Sequence, residues 1–150
     1  MDTIENLKKL LSKHNAEYEL FYHNQPIRSV EDAKKYFAIN QIAPTLIIKS
    51  DGSYYATIIS GVKGRIDFSV LEKTLHCKKV KLADKIEVEK NTGFRTGSIP
   101  LVGLNLPYIL DKSLLSQKFV CGGSGAEQYT LKISIEDLVK INHPILVEFN

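Results

Sequence analysis

Phe119-Val120-Cys121-Gly122-Gly123-Ser124-Gly125, followed three residues later by Tyr129-Thr130-Leu131-Lys132-Ile133, is the stretch from which the fold reads. An apolar run and an alternating run are β-like, and the glycine cluster stands between them. A tight hairpin turn needs only two residues of the Asn-Gly or Gly-X kind. Three glycines in four residues therefore suggest more than a turn. They leave bare backbone N–H groups that an anion, a carbonyl or a ribose could approach closely. A flexible loop is the plainer alternative.

Working outward, the same alternation of short strands and short helices fills the chain. Ser134-Ile135-Glu136-Asp137 opens a helix to about Ile141, with Ser134 as N-cap, and Pro144–Phe149 closes as a strand. Upstream, Pro107–Leu110 reads as a strand and Lys112–Leu115 as a helical turn. Residues 93–107 carry glycine and proline throughout and form an ordered loop. Asp84 caps a helix over Lys85–Thr92 that Gly93 stops. Thr45–Lys49 and Tyr54–Ser60 are strands joined through Asp51-Gly52, a strong hairpin signal. Lys79–Leu82 is a short strand, and Asp67 or Ser69 starts a helix through Leu75. Ser29, with Asp32 three residues on, opens a helix to about Phe37. Ala16–His23 is a strand, and residues 2–13 form an amphipathic helix on Ile4, Leu7, Leu10 and Leu11. The pattern predicts one α+β domain over residues 1–150. Its sheet is mixed, largely antiparallel and barrel-like, with short helices around it.

Composition narrows the function. With 150 residues and 43% apolar content the chain can bury a core. No apolar run approaches a membrane span, and the acidic, amphipathic start at Met1–Glu5 is unlike a secretory signal. Two cysteines far apart, Cys77 and Cys121, fit a reduced cytoplasmic protein. The four histidines form no metal-type pair, so no zinc or other metal is expected. A net charge of +3 is mild, and no DNA-reading motif, dinucleotide fingerprint or Walker loop is present. No organic cofactor, DNA or membrane partner is expected.

Few side chains announce chemistry. Ser98 and Ser124 have glycine neighbours but no G-x-S-x-G elbow. His23 ends a strand before Asn24-Gln25-Pro26; it is either hydrogen-bonded to backbone or lines a pocket. Asp111 follows an apolar strand, and its default role is to cap the next turn. The loop Gly97-Ser98-Ile99-Pro100-Leu101-Val102-Gly103-Leu104 is apolar yet broken by glycine and proline, so it packs on the core or shapes a concave site. Converging with the glycine cluster, it would recognise a ligand mainly through backbone amides.

Five blocks occur in the order of one family. They are His23-Asn24-Gln25-Pro26-Ile27-Arg28-Ser29-Val30-Glu31-Asp32-Ala33, Thr45-Leu46-Ile47-Ile48-Lys49, Thr92-Gly93-Phe94 through Gly97-Ser98-Ile99-Pro100 to Gly103-Leu104, Ile109-Leu110-Asp111-Lys112-Ser113-Leu114, and Gly122-Gly123-Ser124 through Ile133 to Leu138. Over nearly its whole length the chain resembles the YbaK/aminoacyl-tRNA-synthetase-associated family, which includes the editing insertion of bacterial prolyl-tRNA synthetase and its free-standing homologues. The resemblance implies deacylation of a mischarged tRNA: water attacks the aminoacyl ester at the 3′ end. It implies tRNA, and a synthetase, as partners. It also implies that backbone groups and the tRNA's own ribose hydroxyl do much of the work.

Residues and resemblance together mark His23, Thr45, Gly97, Ser98, Ile99, Pro100, Asp111, Gly122, Gly123 and Ser124 as substrate-binding candidates. The chain departs from the family at two places. The family's signature lysine, in Lys-Thr-Leu, is replaced by Pro44, which has neither charge nor N–H. In the loop whose family form is Gly-x-x-x-Pro, Gly97 is kept but the fifth position is Leu101, with Pro100 one residue earlier. Two lysines are candidate replacement cations: Lys49, whose opposite strand parity from residue 44 should point its side chain to the other face, and Lys63, in the loop Gly61-Val62-Lys63-Gly64, which could reach in any direction. Loss of the lysine leaves two expectations open. One is a deacylase with weakened catalysis. The other is a module that binds a tRNA 3′ end, or a small aminoacyl or nucleotide ligand, without hydrolysis.

Overall fold

The structure is a computed structural model that describes residues 2–149. Element order is α1 (Thr3–Lys13), β1 (Tyr18–Tyr22), α2 (Val30–Ala33), β2 (Thr45–Ser50), β3 (Ser53–Ile58), α3 (Phe68–Leu75), β4 (Val80–Leu82), α4 (Lys85–Thr92), β5 (Tyr108–Asp111), β6 (Phe119–Gly123), β7 (Tyr129–Ser134), α5 (Ile135–Asn142) and β8 (Ile145–Val147). Short 3₁₀ turns cover Ile39–Gln41 and Lys112–Ser116.

Local signals account for most of these boundaries. Asp51 and Gly52 both take positive φ, as a two-residue turn of the I′ kind demands, and β2 pairs β3 from Thr45↔Ile58 to Ser50↔Ser53. The side chains of Asp2, Ser29, Asp67, Asp84 and Ser134 each accept a hydrogen bond from a first-turn N–H. The expected reciprocal partners behave differently. Asp32 Oδ2 accepts from the Arg28 N–H at 3.0 Å, and Asp137 Oδ2 accepts from the Glu17 N–H at 2.8 Å, tying α5 to the approach to β1. The full capping box is at Asp84 and Glu87. Helix α2 ends at Ala33, earlier than Phe37; the chain continues in turns that bring the Phe37 ring 5.4 Å from that of Phe21.

The sheet is two sheets. One has order β1-β7-β6, antiparallel throughout; the other has order β4-β2-β3-β5-β8, antiparallel on the β4 side and parallel from β3 onward. Instead of closing a barrel they meet through one parallel bridge, Ile42↔Cys121, where the Ala43 N–H donates to the Cys121 carbonyl at 2.8 Å.

Strand alternation sorts the core. Ile47, Ala56, Ile58 and Leu110 pack between the sheets with Leu131, Ile133 and the α1 residues Leu7 and Leu11. Their neighbours Ile48 and Ile109 point the other way, onto Leu71 of α3, Val80 and Val147. The five-stranded sheet is thus covered on both faces, and all four residues of β5 are buried.

Candidate functional site

A cleft of about 330 Å³ opens where the two sheets approach each other. One wall is the lead into α2 with α2 itself, at Ile27, Arg28, Val30 and Ala33, and then Phe37. The floor is Ile42, Pro44, Thr45, Leu46 and Ile59. The opposite wall combines Gly97, Ser98 and Ile99 with Cys121, Gly122 and Gly123, and Thr130 and Tyr129 complete it. Volume and mainly apolar lining suit a small ligand with a few polar anchors.

Of the sequence candidates, the fold brings Thr45, Gly97, Ser98, Ile99, Gly122 and Gly123 together on this cleft. The two loops do converge: Leu101 N–H donates to the Gly123 carbonyl at 3.0 Å, and Gly125 N–H to the Ser98 carbonyl at 2.9 Å. The glycine reading needs correction in two respects. Gly122 and Gly123 are the end of strand β6, paired with Leu131 and Thr130, and not loop residues. Their missing side chains make room for the protein's own backbone. A Cβ on Gly122 would stand 2.6 Å from the Ala43 carbonyl, and one on Gly123 would overlap the Ile99 carbonyl. Gly97, at φ +96°, is pressed in the same way against the Arg28 carbonyl.

His23, Pro100, Asp111 and Ser124 do not line the cleft, for physical reasons. His23 is buried, and its Nε2 lies 3.0 Å from Thr130 Oγ1, so it supports a cleft-wall hydroxyl from behind. Burial holds its pKa below the ordinary histidine value, favouring the neutral ring. Pro100 turns its carbonyl to the Tyr108 hydroxyl, which donates at 2.9 Å. Ser124 donates to the carbonyls of Tyr129 and Ala126 and shapes the 124–128 turn.

Asp111 is fully buried and spent internally. It accepts from the backbone N–H groups of Ser60 and Ser113, each at 3.0 Å, from Ser113 Oγ and from Lys63 Nζ. Burial alone would push its pKa up; these hydrogen bonds outweigh that and hold it below the usual carboxylate range.

Both candidate replacement cations are committed elsewhere. Lys63 lines the cleft, but its ammonium lies 3.1 Å from Asp111 and donates to the Phe149 carbonyl at 3.2 Å. Lys49 pairs with Glu87 at 2.8 Å and packs by Tyr54, away from the cleft. Sequence reading overlooked Arg28, Phe37 and Thr130 as cleft residues; only α2's position after Arg28 hinted at the first.

Thr45 Oγ1 is shut off from solvent on the cleft floor without a hydrogen-bond partner among the described residues. Cys121 also lines the cleft, but burial pushes its thiol up to about 11, so it is protonated and unreactive near neutral pH. Among the described residues no trio of histidine, cysteine or carboxylate side chains is placed to hold a metal ion. No helix among them is long and apolar enough to cross a membrane.

Known proteins resemble this chain in sequence and in fold. A family model for the aminoacyl-tRNA editing domain matches residues 24–141. The proline–tRNA ligase of Caldicellulosiruptor bescii is 24% identical over 114 residues, which covers 74% of this chain and 20% of the ligase. The chain therefore spans about a fifth of that curated relative. The crystal structure of hypothetical protein APE2540 superposes with a TM-score of 0.88 at 29% identity, covering 99% of both chains. A protein proposed as a trans-editing enzyme for prolyl tRNA synthetase superposes with a TM-score of 0.85 at 20% identity, covering 100% of this chain and 98% of that one.

Proposed function

This chain belongs to the aminoacyl-tRNA editing domain family, and from that premise we propose that it hydrolyses the ester of a mischarged aminoacyl-tRNA. Residues 1–150 act as one domain in this reading, and a synthetase is a natural source of the substrate. The observation that carries it is the cleft itself. Two interlocked backbone segments, 97–99 and 121–123, face an apolar floor that can take an amino-acid side chain. The ester carbonyl lies against the backbone wall; water adds to it, and the acid and the tRNA hydroxyl separate. Developing oxyanion charge needs preorganised donors. Side-chain donors lining this cleft include Arg28, Ser29, Thr96 and Tyr129, with the Thr45 hydroxyl buried beneath its floor and that of Thr130 held by His23.

A second reading, binding without turnover, is favoured by one observation. Position 44 is proline, and the Lys63 ammonium is tied down by Asp111. Among the described residues no lysine is left free on the floor to stabilise the transition state, and losing one such group costs about 10²–10³ in rate.

The deciding experiment incubates the protein and its Pro44→Lys variant with a panel of mischarged tRNAs. Slow deacylation by the wild type, accelerated about 10²–10³-fold in the variant, is expected of the first reading. Binding by the wild type with hydrolysis only in the variant establishes the second. No binding and no turnover by either protein overturns both.

A further inference from the structure

A second cavity adjoins the cleft beside the glycine strand. This groove, of about 560 Å³, runs between residues 93–95 and 125–128. It shares Ser98, Ala126 and Tyr129 with the cleft, so the two adjoin at one turn of chain. Its other walls include Phe94, Arg95, Glu127 and Gln128.

Arginine is scarce in this protein: Arg28, Arg65 and Arg95 stand against seventeen lysines. Two of the three meet at this junction. Arg28, on the cleft wall, donates from Nε and a terminal nitrogen to one oxygen of Glu127, at 3.2 and 3.1 Å. Arg95, in the groove, comes within 3.7 Å of the other oxygen. One carboxylate thus parks two guanidinium groups and leaves the trio with net positive charge. Both arginine side chains are mostly exposed, at 62% and 74%. Exposed ion pairs are weakly held, so either fork can turn to an incoming anion. Guanidinium forks match phosphate geometry in a way ammonium groups do not. The half-buried Phe94 and Tyr129 side chains also line the groove, and aromatic residues in such grooves are the usual partners of stacked bases.

We propose that this groove is the track for the single-stranded RNA leading to the 3′ end held in the cleft. Arg28 and Arg95 bind its phosphates, and Glu127 holds them in place when no RNA is bound. The proposal rests on the editing-domain reading of the cleft. It assigns tRNA recognition to Arg28 on the cleft wall and to Arg95 in the adjoining groove. The 125–128 turn is well supported for this role: Ile27 N–H and His23 N–H donate to the Glu127 and Gln128 carbonyls, each at 2.8 Å.

The test compares two unreactive probes in which an amide replaces the ester. One is 3′-aminoacylamido-adenosine alone; the other is the same group at the end of a short single RNA strand terminating in CCA. Both are prepared with alanyl, seryl and valyl groups, and dissociation constants are measured across salt concentrations. In the wild type the RNA tail tightens binding. Arg28→Gln and Arg95→Gln each remove part of that gain, and together they abolish it. The salt slope falls by about 0.7 for each phosphate that a variant no longer neutralises. Glu127→Gln, which frees both arginines, strengthens the contribution of the tail. Lys73→Gln, on the exposed face of α3, controls for general charge. If the adenosine probe binds but the tail adds nothing, or its gain survives the double variant, the track is overturned and the cleft reading stands. If no probe of either length binds, both fall.

Discussion

The ammonium of Lys63 lies 3.1 Å from the carboxylate of Asp111, a group with no exposed surface. The pair joins the loop after β3 to the end of β5 and, through the Phe149 carbonyl, to the segment after β8. It holds one edge of the cleft in shape and takes the cleft's lysine out of chemistry.

Removing the lysine leaves a buried charge without its cation. Lys63→Ala should destabilise the fold by about 3–5 kcal/mol in urea unfolding. A Lys63→Met/Asp111→Leu double variant should recover part of that loss, since replacing both partners avoids the stranded charge. A loss below about 1 kcal/mol for Lys63→Ala would show that Asp111 is held well enough by Ser60 and Ser113 alone.

Gly123→Ala should cost about 3 kcal/mol or more, at the severe end of overpacking, because the new methyl overlaps the Ile99 carbonyl. Gly64→Ala meets nothing within 4 Å and should lie within about 0.5 kcal/mol of the wild type. Equal effects in chemical denaturation would refute the view that the glycine wall is set by close backbone packing.

Thr45 and Thr57 carry buried hydroxyls without partners among the described residues. Thr57 lies wholly in the core, so Thr57→Val should raise stability, by up to about 1–3 kcal/mol. Thr45 is on the cleft floor. Thr45→Val should leave stability equal or higher while weakening binding of the aminoacyl probes. Tighter binding by this variant would remove Thr45 from the site.

Stability should fall in two stages on acidification. Burial lowers the folded pKa of His23 from 6.5, so its contribution is complete above that value and shrinks as pH drops through it. Glu87 is held down from 4.5 to about 2 by its hydrogen bonds to Lys49, Tyr54 and the Asp84 N–H. Its contribution is therefore complete above 4.5 and lost between there and 2. Asp111 shifts in the same direction. In thermal unfolding followed against pH, His23→Gln should remove the first decline and Glu87→Gln should flatten the second. A wild-type profile with no change as pH falls past 6.5 would contradict the burial of His23.

Much of the fold was legible because its signals are local. The Asp51-Gly52 turn, the caps at Ser29, Asp67, Asp84 and Ser134, and the stripe on α1 depend on backbone within a few residues. The order of the five blocks pointed to the family that the match over residues 24–141 then showed. The site was legible only in part. Thr45, Gly97–Ile99 and Gly122–Gly123 share the cleft, whereas His23 and Asp111, though named as binding candidates, do not line it; Asp111 caps the turn after β5, the default role expected from its place in the chain.

Sequence by itself determined where strands, turns and helices form, that the glycine cluster and the 97–104 loop matter, and that position 44 lacks a charge. Tertiary structure alone decided why those glycines are needed and what the cleft's lysine does. Both depend on distant segments meeting: Gly123 on Ile99, and Lys63 on Asp111, 48 residues away. A glycine that admits a ligand and one that admits a neighbouring strand look alike in a sequence. So do a free lysine and a paired one, because the partner is supplied by packing and not by the residues alongside.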